Sequence, residues 1–260
     1  MKNQEIIAAI EAFAPLAWQE PYDNAGWQVG NPGYEAKAAL LCIDITENVI
    51  DEAIRKNCNL IICHHPLIFG GLQNITPQSA TGRCVIEAIK NDIAIYAAHT
   101  NLDNVSEGVN AKMAEKIALK NGRILQPKTP DGQIGAGWIG ELAEAETEEK
   151  FLLHLKEIFH LQILKHTTLL NKKIKTVALC GGSGSFLLGE AIAQKADVFV
   201  SGDFKYHDFF KAENRILTVD IGHFESEQYT KEIFFDIIRK KFPTFALHFS
   251  EEKSNPINYF

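Results

Sequence analysis

The sequence predicts an α/β fold made of two similar halves with mixed, mostly parallel sheets, and two observations support this class. Short apolar segments with the length of buried strands alternate with segments of helical periodicity, which is the pattern of strands joined by crossover helices. The order of these segments in the first part of the chain recurs in the second part, which indicates a repeated architecture.

The first half is expected to span residues 1–125 and to open with a helix that Pro15 ends. A turn-rich segment follows, and it is interpreted either as a surface loop or as a pocket wall formed by Asp23, Asn24 and Gln28. The predicted strands cover residues 38–43, 60–63 and 93–98, and the predicted helices cover residues 6–13, 48–56, 81–90 and 109–119.

The second half is expected to span residues 126–260. A stretch rich in glycine and proline, residues 121–131, has the composition of a boundary between the halves. Beyond it, the predicted strands cover residues 135–142, 175–180, 198–201, 216–221 and 245–249, the last at a sheet edge. The predicted helices cover residues 147–159, 186–195, 208–212 and 228–241.

Composition narrows the class of protein. The 260 residues are 46% hydrophobic and 23% charged, which is ordinary for a globular chain of one large or two small domains. A formal net charge of -7 disfavours nucleic-acid binding through a basic surface. The N-terminus lacks the apolar run of a signal peptide, and the five cysteines show no C-x-x-C spacing. These features predict a cytoplasmic protein without a membrane span.

The strongest functional signal is His64-His65-Pro66, which ends the predicted strand 60–63. Ligands of open α/β sheets bind at the carboxyl ends of such strands. Because successive strand residues point to opposite faces, the two imidazoles would bind different ions of a pair unless the backbone turns there. The alternative is that both histidines simply bond to the backbone; we favour metal ligation. Cys63 is a weaker candidate ligand.

The next strand of each half also ends in donor residues. His99 and Asp103 follow residues 93–98, and His223 and Glu227 follow residues 216–221. If a helix begins near His223, the i,i+4 spacing lets that residue and Glu227 aim at one point. Asp103 is expected in a loop. The alternative is that His99 and Asp103 only cap a helix or a turn.

If the two halves face one another, these strand ends meet in one cleft. Asp203 and His207, together with Lys205 and Tyr206, follow the predicted strand 198–201 and are candidates for helper groups beside the metal. His99 is a further candidate helper.

Imidazole and carboxylate donors without cysteine suit Zn, Fe, Mn, Ni or Co. Two divalent ions beside Asp103 and Glu227 would keep a charge of about +2, which attracts anionic oxygens and lowers the pKa of bound water. This chemistry favours hydrolysis of a small anionic substrate over redox work.

A glycine-rich stretch, residues 181–185, follows the predicted strand 175–180 and precedes a helix. Its N–H groups are interpreted either as an anion-binding site or as a tight strand-to-helix turn. It lacks the lysine of a P-loop.

Together these motifs resemble the YbgI-like family of dinuclear-metal-centre hexameric proteins, also labelled GTP cyclohydrolase I type 2 homolog or Nif-three-like. The matching stretches span nearly the whole chain: residues 22–30, 63–66, 99–103, 180–185, 201–207 and 220–227.

The resemblance implies two intertwined α/β halves with the metal site between them, no inserted middle domain, and a toroidal homo-hexamer built as a trimer of dimers. It implies two divalent ions per chain, with His64 and Asp103 on one, His65 and His223 on the other, and Glu227 bridging both. The implied function is a metal-dependent hydrolase of a nucleotide or phosphorylated small molecule, with GTP cyclohydrolase activity as the named option. The alternative is a non-enzymatic metal-binding assembly or regulatory protein.

Overall fold

The computed structural model describes residues 1–260. Its α-helices are α1 (Asn3–Phe13), α2 (Glu47–Arg55), α3 (Ala80–Lys90), α4 (Thr100–Asn104), α5 (Val109–Lys116), α6 (Glu148–Ile158), α7 (Leu188–Ala193), α8 (His223–Glu227) and α9 (Thr230–Lys241). Its strands are β1 (Gly26–Val29), β2 (Ala38–Cys42), β3 (Leu60–Cys63), β4 (Ala94–Ala97), β5 (Lys120–Pro127), β6 (Gly135–Thr147), β7 (Lys165–His166), β8 (Lys173–Ser183), β9 (Val198–Gly202), β10 (Leu217–Asp220) and β11 (Ala246–Phe249).

The chain forms two compact units. Unit 1 consists of Met1–Leu102 with Thr230–Asn258, and unit 2 consists of Asp103–Tyr229 with Tyr259–Phe260. These bounds differ from those of the predicted halves, because α5 and β5 belong to unit 2 while α9 and β11 return to unit 1.

Unit 1 is built on a five-stranded sheet of order β1-β4-β3-β2-β11. The strands from β4 to β11 are parallel, and β1 is antiparallel to β4. Leu40, Ile61 and Ile95 lie on one face and pack with apolar residues of α2 and α3. The strands are buried on both faces because α9 packs on β2 and α1 packs against α9. Central strands of this kind are continuous apolar runs, and for that reason they were predictable from the sequence.

Unit 2 is built on a six-stranded sheet of order β5-β6-β8-β9-β10-β7. Its central strands β8, β9 and β10 are parallel, and the outer pairs are antiparallel. Along β8, Val177 and Leu179 belong to one core cluster while Ala178 and Cys180 belong to another. This alternation places an apolar layer on each side of the sheet. The predicted α/β class with mixed, mostly parallel sheets is confirmed.

Two strands lie where turns or a boundary were predicted. The turn-rich segment before residue 30 contains β1, in which Trp27 lies opposite Tyr96, with the ring centroids 5.3 Å apart. The predicted boundary contains β5, an edge strand that is paired with β6 alone and is mostly exposed. Gly122 of β5 leaves room for the Trp138 indole, whose Nε1 would lie 2.2 Å from an added Cβ. Neither strand has a continuous apolar run, so periodicity did not reveal them.

None of the helices is both long enough and apolar enough to span a bilayer.

A buried carboxylate ties the end of unit 1 to α2. The side chain of Glu52 is only 1% exposed and lies 2.7 Å from the Lys56 ammonium. It also accepts hydrogen bonds from the Ser250 hydroxyl (2.6 Å) and the Glu251 N–H (3.0 Å), just beyond β11. Burial raises the pKa of Glu52, but these three donors outweigh burial, and the pKa falls from 4.5 to about 2.

We expect Glu52→Gln to lower the free energy of unfolding at neutral pH by about 3 kcal/mol, because the ionised group is more stable in the folded state than in the unfolded chain. Since the folded pKa lies below the ordinary value, this contribution is present above about pH 4.5 and is lost as the pH falls toward 2. Urea denaturation at pH 7 and pH 3.5 would measure it. Glu47→Gln, at an exposed ion pair with Arg83, is the matched control and should have little effect. Equal effects of the two variants at pH 7 would contradict the assignment.

Candidate metal centre

The backbone turns directly after β3, at the His-His-Pro step. The N–H groups of His64 and His65 both donate to the Ile43 carbonyl, at 3.2 and 2.9 Å. The two rings therefore lie side by side, with centroids 4.9 Å apart, instead of pointing to opposite faces of the sheet. Because of this turn, the alternation of side chains along a strand no longer prevents His64 and His65 from facing the same site.

A third imidazole completes this cluster in unit 1. His99 follows β4, and its ring centroid lies 5.3 Å from that of His64 and 5.4 Å from that of His65. Ligand nitrogens of the three residues lie within 4.8 Å of one another. Parallel strands β3 and β4 end at the same edge of the sheet, so their following residues meet there.

Each ring of the cluster is held through Nδ1. In His64, Nδ1 lies 2.9 Å from the Ala98 carbonyl oxygen, which can only accept a hydrogen bond. In His65 and His99, Nδ1 lies 2.7 Å from Asp44 and 2.8 Å from Asp23, respectively. These acceptors place the proton on Nδ1 and the lone pair on Nε2. Such outer hydrogen bonds are typical of metal-binding histidines.

The two aspartates that hold these rings are ionised. Burial raises the pKa of Asp23, but hydrogen bonds from His99 and Thr100 outweigh it and lower the pKa to about 2. Burial also raises the pKa of Asp44, but the hydrogen bond and charge of His65, together with a hydrogen bond from Ser254, outweigh burial and lower the pKa. Asp23 was a predicted pocket residue, whereas Asp44 was missed. Its position just after β2, at the same strand edge, is the signal that was available.

Unit 2 carries a second donor cluster at the start of α8. His223 and Glu227 are one helical turn apart, with Nε2 and Oε2 separated by 3.2 Å. Nδ1 of His223 lies 2.7 Å from Asp203, so this ring is held in the same way as the others. The structure thus meets the condition set from the sequence, a helix that begins at His223, although this helix is separate from α9.

Asp220 positions both sides of this cluster. Its buried carboxylate accepts hydrogen bonds from the N–H groups of Phe204 (3.2 Å) and Gly222 (3.0 Å), and it lies 2.6 Å from the Lys165 ammonium. The first bond fixes the residue after Asp203, and the second fixes the residue before His223. Asp220 thereby orders the two loops that meet in the ring–carboxylate pair.

The Glu227 carboxylate occupies space that is available only because residue 182 is a glycine. Its side chain is 3% exposed. A Cβ added at Gly182 would lie 2.3 Å from Glu227 Oε1, and Gly182 has a φ of +60°.

Asp103 belongs to the same unit as Glu227, in α4 and not in the predicted loop. Burial, and then the charges of Asp103 and Glu227, raise the pKa of the Cys180 thiol.

Three amides of the glycine-rich stretch, residues 181–185, are hydrogen-bonded within the protein. Residues 181–183 continue β8, and the N–H groups of Gly181, Gly182 and Gly184 donate to the side chains of Asn110, Ser226 and Ser201, respectively. Because these amides already have protein acceptors, they are not available to a phosphate. The Ser226 hydroxyl also donates to the His223 carbonyl, so the stretch braces α8.

The remaining candidates are not part of these donor clusters. His207 is exposed and contacts the rings of Tyr206 and Phe210. The Cys63 thiol donates to the Tyr96 carbonyl oxygen at 3.4 Å, and burial raises its pKa.

The donor sets fit divalent metal ions on chemical grounds. They offer imidazole nitrogens with fixed tautomers and a buried carboxylate, which are ligands of Zn, Fe, Mn, Ni and Co. The 3.2 Å between His223 Nε2 and Glu227 Oε2 is a separation that two ligands of one ion adopt when each lies about 2.0–2.2 Å from it.

The fold and the donor clusters define a mixed α/β protein equipped with histidine and carboxylate groups of the kind that bind divalent metals. The chain belongs to the Duf34/NIF3 (NGG1p interacting factor 3) family, whose model matches residues 1–256. The resemblance found from the motifs is thus confirmed.

Individual relatives agree with this assignment. A protein of Clostridium acetobutylicum named GTP cyclohydrolase 1 type 2 homolog is 36% identical over 231 residues, which cover 87% of this chain and 85% of the relative. The crystal structure of a Bacillus cereus protein related to NIF3 has a TM-score of 0.92 at 25% identity, covering 100% of this chain and 99% of that one. Protein ybgI, described as of unknown function, shares the fold with a TM-score of 0.85 at 19% identity, covering 99% and 100% of the two chains.

We expect Gly182→Ala to destabilise unit 2, because the left-handed conformation costs an alanine about 1–2 kcal/mol and the methyl group displaces Glu227. Gly189→Ala is the matched control: an added Cβ there meets no atom within 4 Å, and alanine favours α7. Urea denaturation should separate the two variants, and imidazole NMR should show a shifted His223 signal in Gly182→Ala only. Wild-type behaviour of Gly182→Ala would mean that the glycine is not required.

Proposed function

We propose that the chain is a metal-dependent hydrolase with a two-ion centre, acting on a nucleotide or another phosphorylated small molecule. The observation that supports it most is the fixed orientation of the histidines: in each unit an acceptor holds Nδ1 and leaves the lone pair on Nε2. The name of the curated relatives, GTP cyclohydrolase 1 type 2 homolog, makes GTP the first substrate to test.

The proposed ligands are those that the family resemblance implies. His64 and Asp103 would bind one ion, His65 and His223 the other, and Glu227 both. The geometry found within each unit supports four of these five assignments. The rings of His64 and His65 lie side by side after β3, and His223 and Glu227 are paired in α8.

Divalent ions held there would supply Lewis acidity and lower the pKa of water toward neutrality. The protein's own part is orientation. Asp44 and Asp203 keep two of the proposed ligand rings in place, and Asp23 keeps His99 in place. His99 is outside the ligand set, and its Nε2 is suited to accept a hydrogen bond from a substrate. It is therefore the helper group that we favour.

We also propose that the protein works as a homo-hexamer, a trimer of dimers, in the cytoplasm. The family resemblance supports the assembly, and the exposed apolar end of the chain, Ile257 with Tyr259 and Phe260, is surface that a closed ring would bury. The five cysteines are all free and buried, as is common in a reducing compartment.

Metal content tests the bridging role of Glu227. We expect Glu227→Ala to lose more metal per chain than His65→Ala, because it removes a ligand from both ions and the charge that offsets their repulsion at about 3.5–4 Å. Mass spectrometry of metal per chain, with circular dichroism as the folding control, measures this. Glu157→Ala, at an exposed position of α6, and His248→Ala, in β11, are matched controls. Retention of two ions per chain by Glu227→Ala would refute the bridge.

Turnover separates the enzyme from the non-enzymatic alternative. Protein loaded in turn with Zn, Fe, Mn, Ni and Co is assayed with GTP and with a generic phosphoester. We expect metal-dependent turnover that His65→Ala abolishes and His248→Ala preserves. Full metal binding without turnover of any substrate in the panel would instead favour a metal-binding assembly or regulatory protein.

A further inference from the structure

Unit 2 contains a groove that none of the proposed metal ligands lines. Its volume is about 550 Å³, within the range of small-molecule pockets. It lies between β7 and the 3-10 helical segment Tyr206–Ala212. The residues that carry its chemistry are His166, Thr168, Tyr206, Phe210, Glu213 and Asn214.

One wall of the groove is an exposed aromatic platform. Tyr206 is 73% exposed and Phe210 is 64% exposed, and their rings meet edge to face, with centroids 5.3 Å apart and planes at 66°. Phe209 packs on the buried Phe204 at 5.3 Å. The segment is therefore anchored in the core while both rings stay largely exposed to solvent. Open, anchored aromatic faces are what base-stacking sites use.

A second part of the groove's lining carries hydrogen-bond acceptors. Nδ1 of His166 lies 2.7 Å from the Thr167 carbonyl oxygen, so the proton is on Nδ1 and Nε2 is an acceptor. Glu213 adds a carboxylate, and Asn214 adds an amide oxygen. The exposed ion pair of Glu213 with Arg215, at 3.0 Å, leaves this side close to neutral.

Two of the acceptors lie at the turn that ends the 3-10 segment. Glu213, its C-cap, and Asn214 are consecutive residues in the left-handed region, with φ of 47° and 54°. Asparagine tolerates this region, but glutamate does so at a cost. A glycine would suit position 213 better if a turn were the only requirement.

We propose that this groove binds a planar heteroaromatic ring bearing N–H donors, of the class of amino-substituted purines. The ring stacks on one of the two aromatic side chains, Tyr206 or Phe210, and meets the edge of the other. Its N–H groups donate to His166 Nε2 and the Glu213 carboxylate. The site is independent of the proposed hydrolase function and of metal binding.

The probe is 2-aminopurine, whose fluorescence is quenched by stacking, titrated into the full-length protein. Tyr206→Ala and Phe210→Ala should each weaken binding about tenfold, the effect of one lost stacking contact. Phe186→Ala removes an equally exposed aromatic residue that does not line the groove, and it should bind like the wild type. Glu213→Gly should weaken binding without loss of stability, because glycine suits the left-handed conformation.

Circular dichroism and metal content should stay at wild-type values in all four variants, which separates this site from the metal centre. Absence of quenching at millimolar 2-aminopurine would overturn the proposal. Equal affinity of Tyr206→Ala, Phe210→Ala and the wild type would overturn it as well. A change in assembly mass in Tyr206→Ala, with no probe binding by the wild type, would assign the aromatic platform to contacts between copies of the chain.

Discussion

The hydrogen bond to Nδ1 is the interaction on which the candidate metal centre depends. An imidazole has two nitrogens and two flat orientations, and an exposed ring would sample several of them. In this protein a backbone carbonyl or an aspartate binds Nδ1 of His64, His65, His99 and His223. Each ring is therefore fixed in both tautomer and direction before any ligand arrives, which lowers the cost of ordering when it binds.

Those acceptors are themselves held by the ends of the strands. Asp44 follows β2, the Ala98 carbonyl follows β4, and Asp203 follows β9, so the sheets supply the outer partners as well as the rings. In unit 2 Asp220 extends this arrangement by one more step, since it orders the loops on both sides of the His223–Asp203 pair. The donor clusters are thus continuous with the hydrogen bonding of the core.

Residue chemistry and periodicity predicted what depends on local pattern. The buried strands, the i,i+4 spacing of His223 and Glu227, and the histidines after β3 and β4 all followed from local sequence. What could not be predicted depends on distant partners. The turn after β3 requires the Ile43 carbonyl, and the role of the glycine-rich stretch requires Ser226, whose side chain takes up an amide that the sequence alone leaves open.

The edge strands β1 and β5 were also missed, and the cause is physical. Each pairs on one side only; β5 is mostly exposed, and β1 contains a glycine and Gln28, so neither has the continuous apolar run of a central strand. They are stabilised by contacts with one neighbouring strand, such as the contact of Trp27 with Tyr96. Only the folded chain brings these residues together.

The course of the chain also sets an order of events during synthesis. Residues 103–229 of unit 2 emerge from the ribosome as one continuous segment, whereas unit 1 lacks α9 and β11 until the last part of the chain has been made. Until then β2 presents an unpaired edge, and the apolar face that α9 covers remains open to water. Nascent chains with such exposed edges and faces are prone to misassociation. Chaperone dependence should therefore arise from unit 1, which begins first but lacks α9 and β11 until residues 103–229 have been made.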